Sequence, residues 1–458
     1  MIIIPDAGSN QYEEHKILAE QGYDILVIDH HLCDEESKYA CVINNQMGNY
    51  PNKTLSGAGV VYKFCKYFDM KYGYDYADEF LDLAAVGIIG DVMELNDIET
   101  RYIVKNGLSE IKNFGLNRFI MSQSFNIGGT KEITPTDVSF SITPLVNAII
   151  RVGTMSEKET LFKAFISGPT DREPSTKRGA KPGDTEVIAD KAARIARNAK
   201  NHQQSMVKDS LAMIESKIAK EELDNNKILL VALDDEESRF VNPNLTGLIA
   251  MKLASEYNRP SILIRAANDD VYKGSLRVNS NSPIENFKEF CSETNLTAYV
   301  EGHESAAGIG IPYNNIDRFI SLTNKQLKKV DLGSGKYFVD FEFNNNDLDQ
   351  IEQACYDLDV ISNVYGKGVE EPKVIIKDLL FTPKEVVVMG KDNSSAKISI
   401  GNLAIVKFKD TRFVEDVQKY PLSSMTIYGK LNLNNFAGKF TPQVIIEDYE
   451  IENESAKF

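Results

Sequence analysis

Residues 24–31 read Asp24-Ile25-Leu26-Val27-Ile28-Asp29-His30-His31, an apolar run that ends on one carboxylate and two imidazoles. A strand that hands these three groups to one point has the chemistry of a metal site, and the chain holds only five His in all. Two more acidic groups share the placement. Asp6 follows Met1-Ile2-Ile3-Ile4-Pro5, and Asp91 follows Leu83-Ala84-Ala85-Val86-Gly87-Ile88-Ile89-Gly90. Each candidate ligand stands where a buried segment ends. In an open parallel sheet, ligands bind outside the carboxyl ends of the strands, so three such ends can converge on one ion. Oxygen and imidazole donors together suit Mn2+ or Mg2+ better than a structural zinc. Each group also has an ordinary reading: a lone His after a strand can be a satisfied core residue. Asp91 can be a cap or loop carboxylate, and Asp6, beside Gly8 and Ser9, a turn residue.

Working outward, residues 1 to about 150 alternate short apolar strands with amphipathic helices such as Gly57–Tyr67 and Tyr76–Ala85, the pattern of an α/β domain with a parallel sheet. Ser167–Asp184, with Pro169, Pro174 and Pro182, reads as a loop, and a charged, Gln-bearing helical run over 186–222 reads as a long exposed connector able to span a cleft. A second α/β unit starts at Lys227–Leu233 and continues through a helix over 245–257 and a strand over 261–265. After Val330 the chain is strand-rich, at 336–343, 373–380, 385–389, 396–400, 403–408, 425–433 and 443–449, which predicts a small β-barrel. The expected division is 1–165, 166–225, 226–330 and 331–458.

With 458 residues, 42% hydrophobic and 26% charged, the chain is long enough for two to four domains of ordinary globular composition. No apolar stretch approaches the ~20 residues of a membrane span, and the N-terminus lacks a basic region followed by an apolar one, so the expected location is cytoplasmic. Cys33, Cys41, Cys65, Cys291 and Cys355 are odd in number and contain no C-x-x-C pair, which predicts reduced thiols. A formal net charge of −16 argues against a protein that coats nucleic acid, but not against a nuclease, which needs only a local cationic track. Lys177, Arg178, Lys181, Lys191, Arg194, Arg197 and Lys200 are candidates for that track, and equally for a solvated helix face.

Taken together these residues resemble the RecJ-type single-stranded-DNA exonucleases of the DHH phosphoesterase superfamily. The Asp-His-His at 29–31 matches the motif that names the group. Pro5-Asp6-Ala7-Gly8-Ser9, Leu55-Ser56-Gly57-Ala58-Gly59-Val60-Val61 and Gly90-Asp91-Val92-Met93-Glu94-Leu95 are similar to further motifs of its first domain. Pro144-Leu145-Val146-Asn147-Ala148 with Arg151 resembles its Pro-Arg-Ile-Asn-Ala segment, and Gly302-His303-Glu304-Ser305-Ala306-Ala307-Gly308 the signature of the DHH-associated domain. Val364-Tyr365-Gly366-Lys367-Gly368 and the closing strands resemble an oligonucleotide-binding (OB) barrel. The likeness covers nearly the whole chain in order.

The resemblance implies a DHH domain, a helical connector, a DHH-associated domain and an OB-like barrel. It implies that Asp6 bridges two divalent ions, Mn2+ or Mg2+, while His30 and Asp91 ligate one of them. His31 would face the scissile phosphate with Asp29 in the same catalytic group. Arg277, Gly302 and His303 would hold substrate phosphates, and Asn147 and Arg151 would contact the strand or brace the site. Tyr428, Phe436 and Phe440 are candidate stacking platforms. The implied activity is exonucleolytic hydrolysis of single-stranded DNA, 5′ to 3′, in repair, recombination or replication, with single-strand-binding or helicase proteins as implied partners.

The family's earlier His-x-Asp-x-Asp motif is not found in this sequence. The expectation is a chain that keeps ligands mainly for one ion, has weak or no nuclease activity alone, and takes the missing piece from upstream sequence or a separate N-terminal polypeptide. An exposed, association-prone sheet edge is expected with it. Leu145 and Glu301 also depart from the pattern, standing where Arg and Gly are usual. Alternatives are a non-catalytic single-strand-binding scaffold and a DHH phosphodiesterase acting on short oligonucleotides, with inorganic pyrophosphatases third.

Overall fold

Ser56 starts the helix that organises the first domain: its Oγ accepts the Gly59 N–H at 3.3 Å, and Gly73, in the left-handed region at φ 76°, ends that helix. In the computed structural model of the chain, described over residues 1–33, 35–127, 132–267, 270–279, 282–332, 337–390, 392–436 and 438–454, this helix follows three strands. They are β1 (Ile2–Pro5), β2 (Ile25–Asp29) and β3 (Cys41–Asn44), with α1 (Tyr12–Glu20) between the first two. All three are parallel, with β2 central. The register sets Pro5 beside Ile28 and Asp29 beside Asn44, so the residues that follow β1 and β2 emerge at one sheet end.

The first helix after β3 is α2 (Gly57–Tyr72), and α3 (Leu81–Gly90) packs against it. Here the structure corrects one expectation: Asp91 is delivered by the C-terminus of a helix and not by a strand. Leu81, Leu83, Ala84, Ala85 and Gly87 make a segment apolar all round, and a run buried on every side has no periodicity to separate helix from strand. Further helices are α4 (Ile98–Ser109), α5 (Phe114–Ser122), α6 (Thr143–Val152) and α7 (Met155–Ile166). Leu145, at the position of a usual Arg, is fully buried in α6. The loop that follows includes a short antiparallel ladder, Arg172–Pro174 with Thr185–Val187.

The chain divides into two compact units, one of Met1–Val146, Glu159–Arg194 and Phe338–Phe458, the other of Asn147–Lys158 and Ile195–Tyr337. The run over 186–222 holds the 34-residue helix α8 (Ile188–Glu221), which is not exposed all round: it buries a stripe of Ala189, Ala192, Ala196, Ala199, Val207, Ile214 and Ile218, so it is packed along one face.

The second unit holds a five-stranded sheet. Its elements are β4 (Leu229–Leu233), α9 (Thr246–Glu256), β5 (Ser261–Arg265), β6 (Val271–Arg277), α10 (Phe287–Glu293), β7 (Tyr299–His303), β8 (Ala306–Pro312) and α11 (Ile316–Gln326). The strand order is β4-β5-β6-β8-β7, with β4 and β5 parallel and the rest antiparallel.

The C-terminal part returns to the first unit. Its strands β9 (Phe341–Asn344), β10 (Lys373–Phe381), β11 (Val386–Met389), β12 (Ser395–Ile400), β13 (Leu403–Lys407), β14 (Ser423–Phe436) and β15 (Lys439–Asn453) form one sheet in the order β9-β10-β14-β15-β13-β12-β11. Among the described residues the ladder has two edges, β9 and β11, so the strands of the expected OB-like barrel pair as one sheet without a closing ladder. The strand-rich reading also missed the helix Leu348–Val360. Its signals are the Asn344/Asp347 capping box and the spacing Leu348, Ile351, Cys355, Leu358, whose residues pack on the sheet. This sheet meets the DHH-like part where the Leu95 N–H donates to the Lys367 carbonyl at 2.7 Å. No helix among the described residues is long and apolar enough to cross a membrane.

Candidate active site

Asp6, Asp29, His30 and His31 come from the ends of two adjacent parallel strands, and their ligand atoms lie within 4.8 Å of one another. His30 is the pivot. Its Nε2 is 3.3 Å from Asp6 Oδ1 and 3.2 Å from Asp91 Oδ2. The imidazole is 6% exposed, whereas Asp6 and Asp91 are 62% and 39% exposed, so a buried nitrogen meets two water-facing carboxylates. Burial alone would push His30 down, but Asp6, Asp91 and Asp29 outweigh it and raise it above the ordinary imidazole value. The cluster therefore demands positive charge at this point. A hard divalent cation meets that demand with the same three atoms, and two carboxylate oxygens with one imidazole nitrogen are donors suited to Mn2+ or Mg2+.

Asp29 has a different role. It is buried, and its oxygens accept the His31 Nδ1–H at 2.7 Å, the His30 N–H at 2.8 Å, the His31 N–H at 3.3 Å and the Ser9 N–H at 3.1 Å. Burial raises this carboxyl, but those donors outweigh it and hold it at about 2. A carboxylate that stays ionised can only accept, so His31 carries its proton on Nδ1 and keeps Nε2 available. With its side chain 56% exposed, His31 can accept or return a proton there.

Two supports escaped the sequence reading. Asn44, level with Asp29 across the ladder, donates from Nδ2 to Ser9 Oγ at 2.8 Å and to the His31 carbonyl at 2.9 Å. The short polar tail of an apolar strand was their only signal. Glycine contacts are the other support. A Cβ on Gly57 would lie 2.1 Å from Asp6 Oδ1, and one on Gly87 would lie 2.4 Å from the Ala58 Cβ. Thus α2 abuts Asp6, and α3, which carries Asp91, abuts α2 through bare backbone. The backbone is also bent at both ligand turns: Asp6 has φ 59° and Val92 φ 56°. Asp enters the left-handed region readily, but a β-branched Val there is strained, by about 1–3 kcal/mol.

In the second unit, Arg277 pairs with Ala306 across one ladder and Ala306 with His303 across the next. These three positions therefore share one face of the sheet. Gly302 precedes the exposed His303 at φ 132°, a conformation that favours glycine. Arg277 lies against Gly247 in the first turn of α9, where a Cβ would be 2.4 Å from Nη2. Burial lowers both Arg277 and Arg151, and the charge of Arg151 lowers Arg277 further, while Arg277 Nη1 donates to the Leu276 carbonyl at 2.6 Å. Such a pair is stabilised by an anion. Asn147 stands one helical turn before Arg151 on the same face of α6.

Other expectations fare less well. Lys177 and Arg194 share the one carboxylate of Glu186, at 3.6 and 2.6 Å, and Lys191 shares Glu173 with Lys163, at 3.0 and 2.8 Å, so their charge is only partly offset. The Tyr428 ring is covered by Lys373, whose Nζ is 5.7 Å from its centroid; Phe440 is exposed, and the Phe436 side chain lies outside the described residues.

A family model for the DHH family, N-terminal domain, matches residues 1–88. The SPbeta prophage-derived protein YorK of Bacillus subtilis, named as a single-strand DNA-specific exonuclease, is 36% identical over 461 residues, covering 99% of this chain and 78% of its own. The chain belongs to the RecJ-type exonuclease family. The single-stranded-DNA-specific exonuclease RecJ of Bacillus subtilis is 25% identical over 98% of this chain, which spans 53% of that relative's length. Among solved structures, RecJ of Thermus thermophilus in complex with Mn2+ has the same fold, with a TM-score of 0.71, 20% identity, and 98% and 61% of the two chains covered.

Proposed function

We propose that the chain is a divalent-metal-dependent exonuclease that hydrolyses phosphodiester bonds of single-stranded DNA from the 5′ end, in the cytoplasm, in DNA repair, recombination or replication. The observation that carries this reading is the meeting of Asp6, His30 and Asp91 at about 3 Å beside an Asp29-oriented His31. The names of the prophage and RecJ relatives supply the substrate class, and the Mn2+ in the Thermus structure supplies the ion class. We assign residues 1–165 as DHH domain, 166–225 as connector, 226–330 as DHH-associated domain and 331–458 as the OB-like nucleic-acid-binding part.

In this reading Asp6, His30 and Asp91 hold Mn2+ or Mg2+, which supplies a Lewis acid for the attacking water and the phosphoryl oxygens. Asp29 keeps His31 in the tautomer whose Nε2 handles the proton of the departing or attacking oxygen. Arg151, Arg277 and His303, with the Gly302 backbone, hold substrate phosphates, and Asn147 braces the strand. The described residues gather ligands for one ion, so slow hydrolysis is assigned to the chain.

The test is incubation of the purified chain with Mn2+ and a 5′-phosphorylated single strand, with duplex of the same sequence beside it. Slow release of nucleotides from the single strand alone, abolished in Asp6→Ala, supports the reading. Absence of release, with strand binding equal in wild type and Asp6→Ala, would replace it with a single-strand-binding scaffold. Stalling on long strands but not on short ones would replace it with an oligonucleotide phosphodiesterase.

A further inference from the structure

The ladder of Arg172–Pro174 with Thr185–Val187, within the first unit, closes through a tip at 175–184. The tip reads Ser-Thr-Lys-Arg-Gly-Ala-Lys-Pro-Gly-Asp, and Lys177, Arg178 and Lys181 are all exposed. Its own hydrogen bonds hold it. The Ala180 N–H donates to the Lys177 carbonyl at 3.1 Å, the Asp184 N–H to the Lys181 carbonyl at 3.0 Å and the Ser175 N–H to the Asp184 carbonyl at 2.9 Å. Gly179 and Gly183, at φ 84° and 94°, allow the two turns. The three cations therefore stand on a backbone that is already ordered, which lowers the cost of binding through them.

The groups beneath the tip leave its outer surface positive. Glu173 and Glu186 stand opposite each other across the ladder, with side chains 16% and 3% exposed. Lys163 and Lys191 share Glu173, and Lys177 and Arg194 share Glu186, so two carboxylates serve four cations. Lys163 and Lys177 are 51% and 58% exposed, which puts ammonium groups outside and the carboxylates inside. The Arg172 guanidinium bonds to Thr185, at Oγ1 (2.9 Å) and at the carbonyl (3.0 Å). Among the described residues no carboxylate pairs with Arg178 or Lys181. Asp171, Asp184 and, beside Lys163, Glu159 are the other acids here, while Asp190 has its own partner in Arg118. Seven cations thus face five carboxylates, a local positive excess in a chain of net charge −16.

We propose that this hairpin is a phosphate-binding arm, outside the carboxylate cluster, that holds the backbone of single-stranded DNA through Lys177, Arg178 and Lys181. The choice of DNA rests on the exonuclease reading. The tip has no aromatic or large apolar side chain, so it has nothing to stack on a base and nothing to insert into a membrane. Charge alone is left, and charge alone reads phosphates. A chain this acidic repels a polyanionic strand at long range, and a local positive surface offsets that repulsion where the strand is held. The contact is indifferent to base sequence and weakens with salt.

The experiment follows the fluorescence anisotropy of a labelled single strand of about 30 nucleotides on the full chain, between about 50 and 300 mM NaCl. EDTA is present so that nothing is hydrolysed. One triple variant, Lys177→Ser with Arg178→Ser and Lys181→Ser, removes the charge of the tip; another, Lys177→Arg with Arg178→Lys and Lys181→Arg, keeps it. The charge-free variant should bind at least about tenfold more weakly at low salt, and its slope of log affinity against log salt should be smaller by about two, at about 0.7 per phosphate contact. The loss should be equal for oligo-dT and for a mixed sequence, and the charge-keeping variant should bind within about twofold of wild type. An unchanged slope, a loss confined to one sequence, or equal weakening by both variants would overturn the proposal. So would a charge-free variant that keeps strand binding but loses binding to vesicles of phosphatidylserine and phosphatidylcholine, which would make the arm a membrane contact. Hydrolysis of a 5′-phosphorylated strand by the wild type with Mn2+, measured beside these titrations, separates the two readings. A reduced slope without hydrolysis faults the exonuclease reading alone, and hydrolysis with an unchanged slope faults the arm alone.

Discussion

The backbone of Gly57 touches the carboxylate of Asp6: a Cβ at position 57 would fall 2.1 Å from Oδ1 and 2.6 Å from Cγ. No other amino acid leaves Asp6 where it meets His30. Gly57→Ala should therefore swing Asp6 away and weaken Mn2+ binding at least tenfold. Stability should change little, because alanine gains up to about 1 kcal/mol of helix propensity over glycine. Calorimetric Mn2+ titration and thermal melting separate the two effects; a variant that melts early but binds the ion normally would show that Gly57 serves only helix packing.

His31 and His30 should part company under mutation. His31→Ala leaves Asp6, His30 and Asp91 in place, so Mn2+ affinity should stay within about twofold while hydrolysis falls about 10²-fold or more, the usual size of a lost general acid or base. His30→Ala should lose the ion. Equal loss of metal by both variants would mean that His31 is a ligand.

Arg277 and Arg151 repel each other in the absence of an anion. Arg277→Met should leave the melting temperature unchanged or slightly higher, yet weaken single-strand binding and reduce the slope of log affinity against log salt by about one. Destabilisation with an unchanged salt slope would contradict a phosphate role.

Val92, strained at φ 56°, closes the turn that carries Asp91. Val92→Gly should be neutral to stabilising by about 1 kcal/mol, since glycine adopts this conformation freely, and should loosen Asp91 enough to lower Mn2+ affinity by a few-fold. Substantial destabilisation would mean that the turn is not strained.

Glu186 gives a pH dependence remote from the site. Its carboxyl is buried, which raises it, but the Arg194 guanidinium, the Thr176 N–H and Lys177 outweigh that and hold it below the ordinary value. A carboxyl lowered on folding stabilises the protein above its unfolded value, and that contribution disappears as pH falls through the folded one. Glu186→Gln should destabilise the protein at pH 7, with the gap from wild type narrowing as pH falls below about 4, where the unfolded carboxyl takes up its proton. Denaturant melts at pH 7 and pH 3 check this; a gap that does not narrow at pH 3 would contradict it.

Much of the site is legible because its signals are local. The run into Asp29-His30-His31 and the polar residue after each apolar segment can be read in a line. Asp91 meets His30 from the end of a helix where the sequence suggests a strand, since a fully apolar segment looks the same as either. Gly57 and Gly87 were read only as a helix start and an apolar run: their importance is a contact with residues far away in sequence, and glycine carries no side chain to announce it. The Asn44 brace is hidden likewise, as its register is fixed by strand pairing. The C-terminal strands were found by alternation, but closure depends on which edges pair, and alternation is silent on that.

The left-handed turn at Asp6 sets how this position can drift. Asparagine shares aspartate's tolerance for that backbone but supplies no charge, while glutamate supplies charge on a longer stem that Gly57 crowds out. A saturation library should return almost nothing but the native residue at position 6, whereas position 91, at the open end of a helix, should also accept the longer carboxylate of glutamate. The identity of the first ligand would then be held by the curvature of the main chain, one residue past β1.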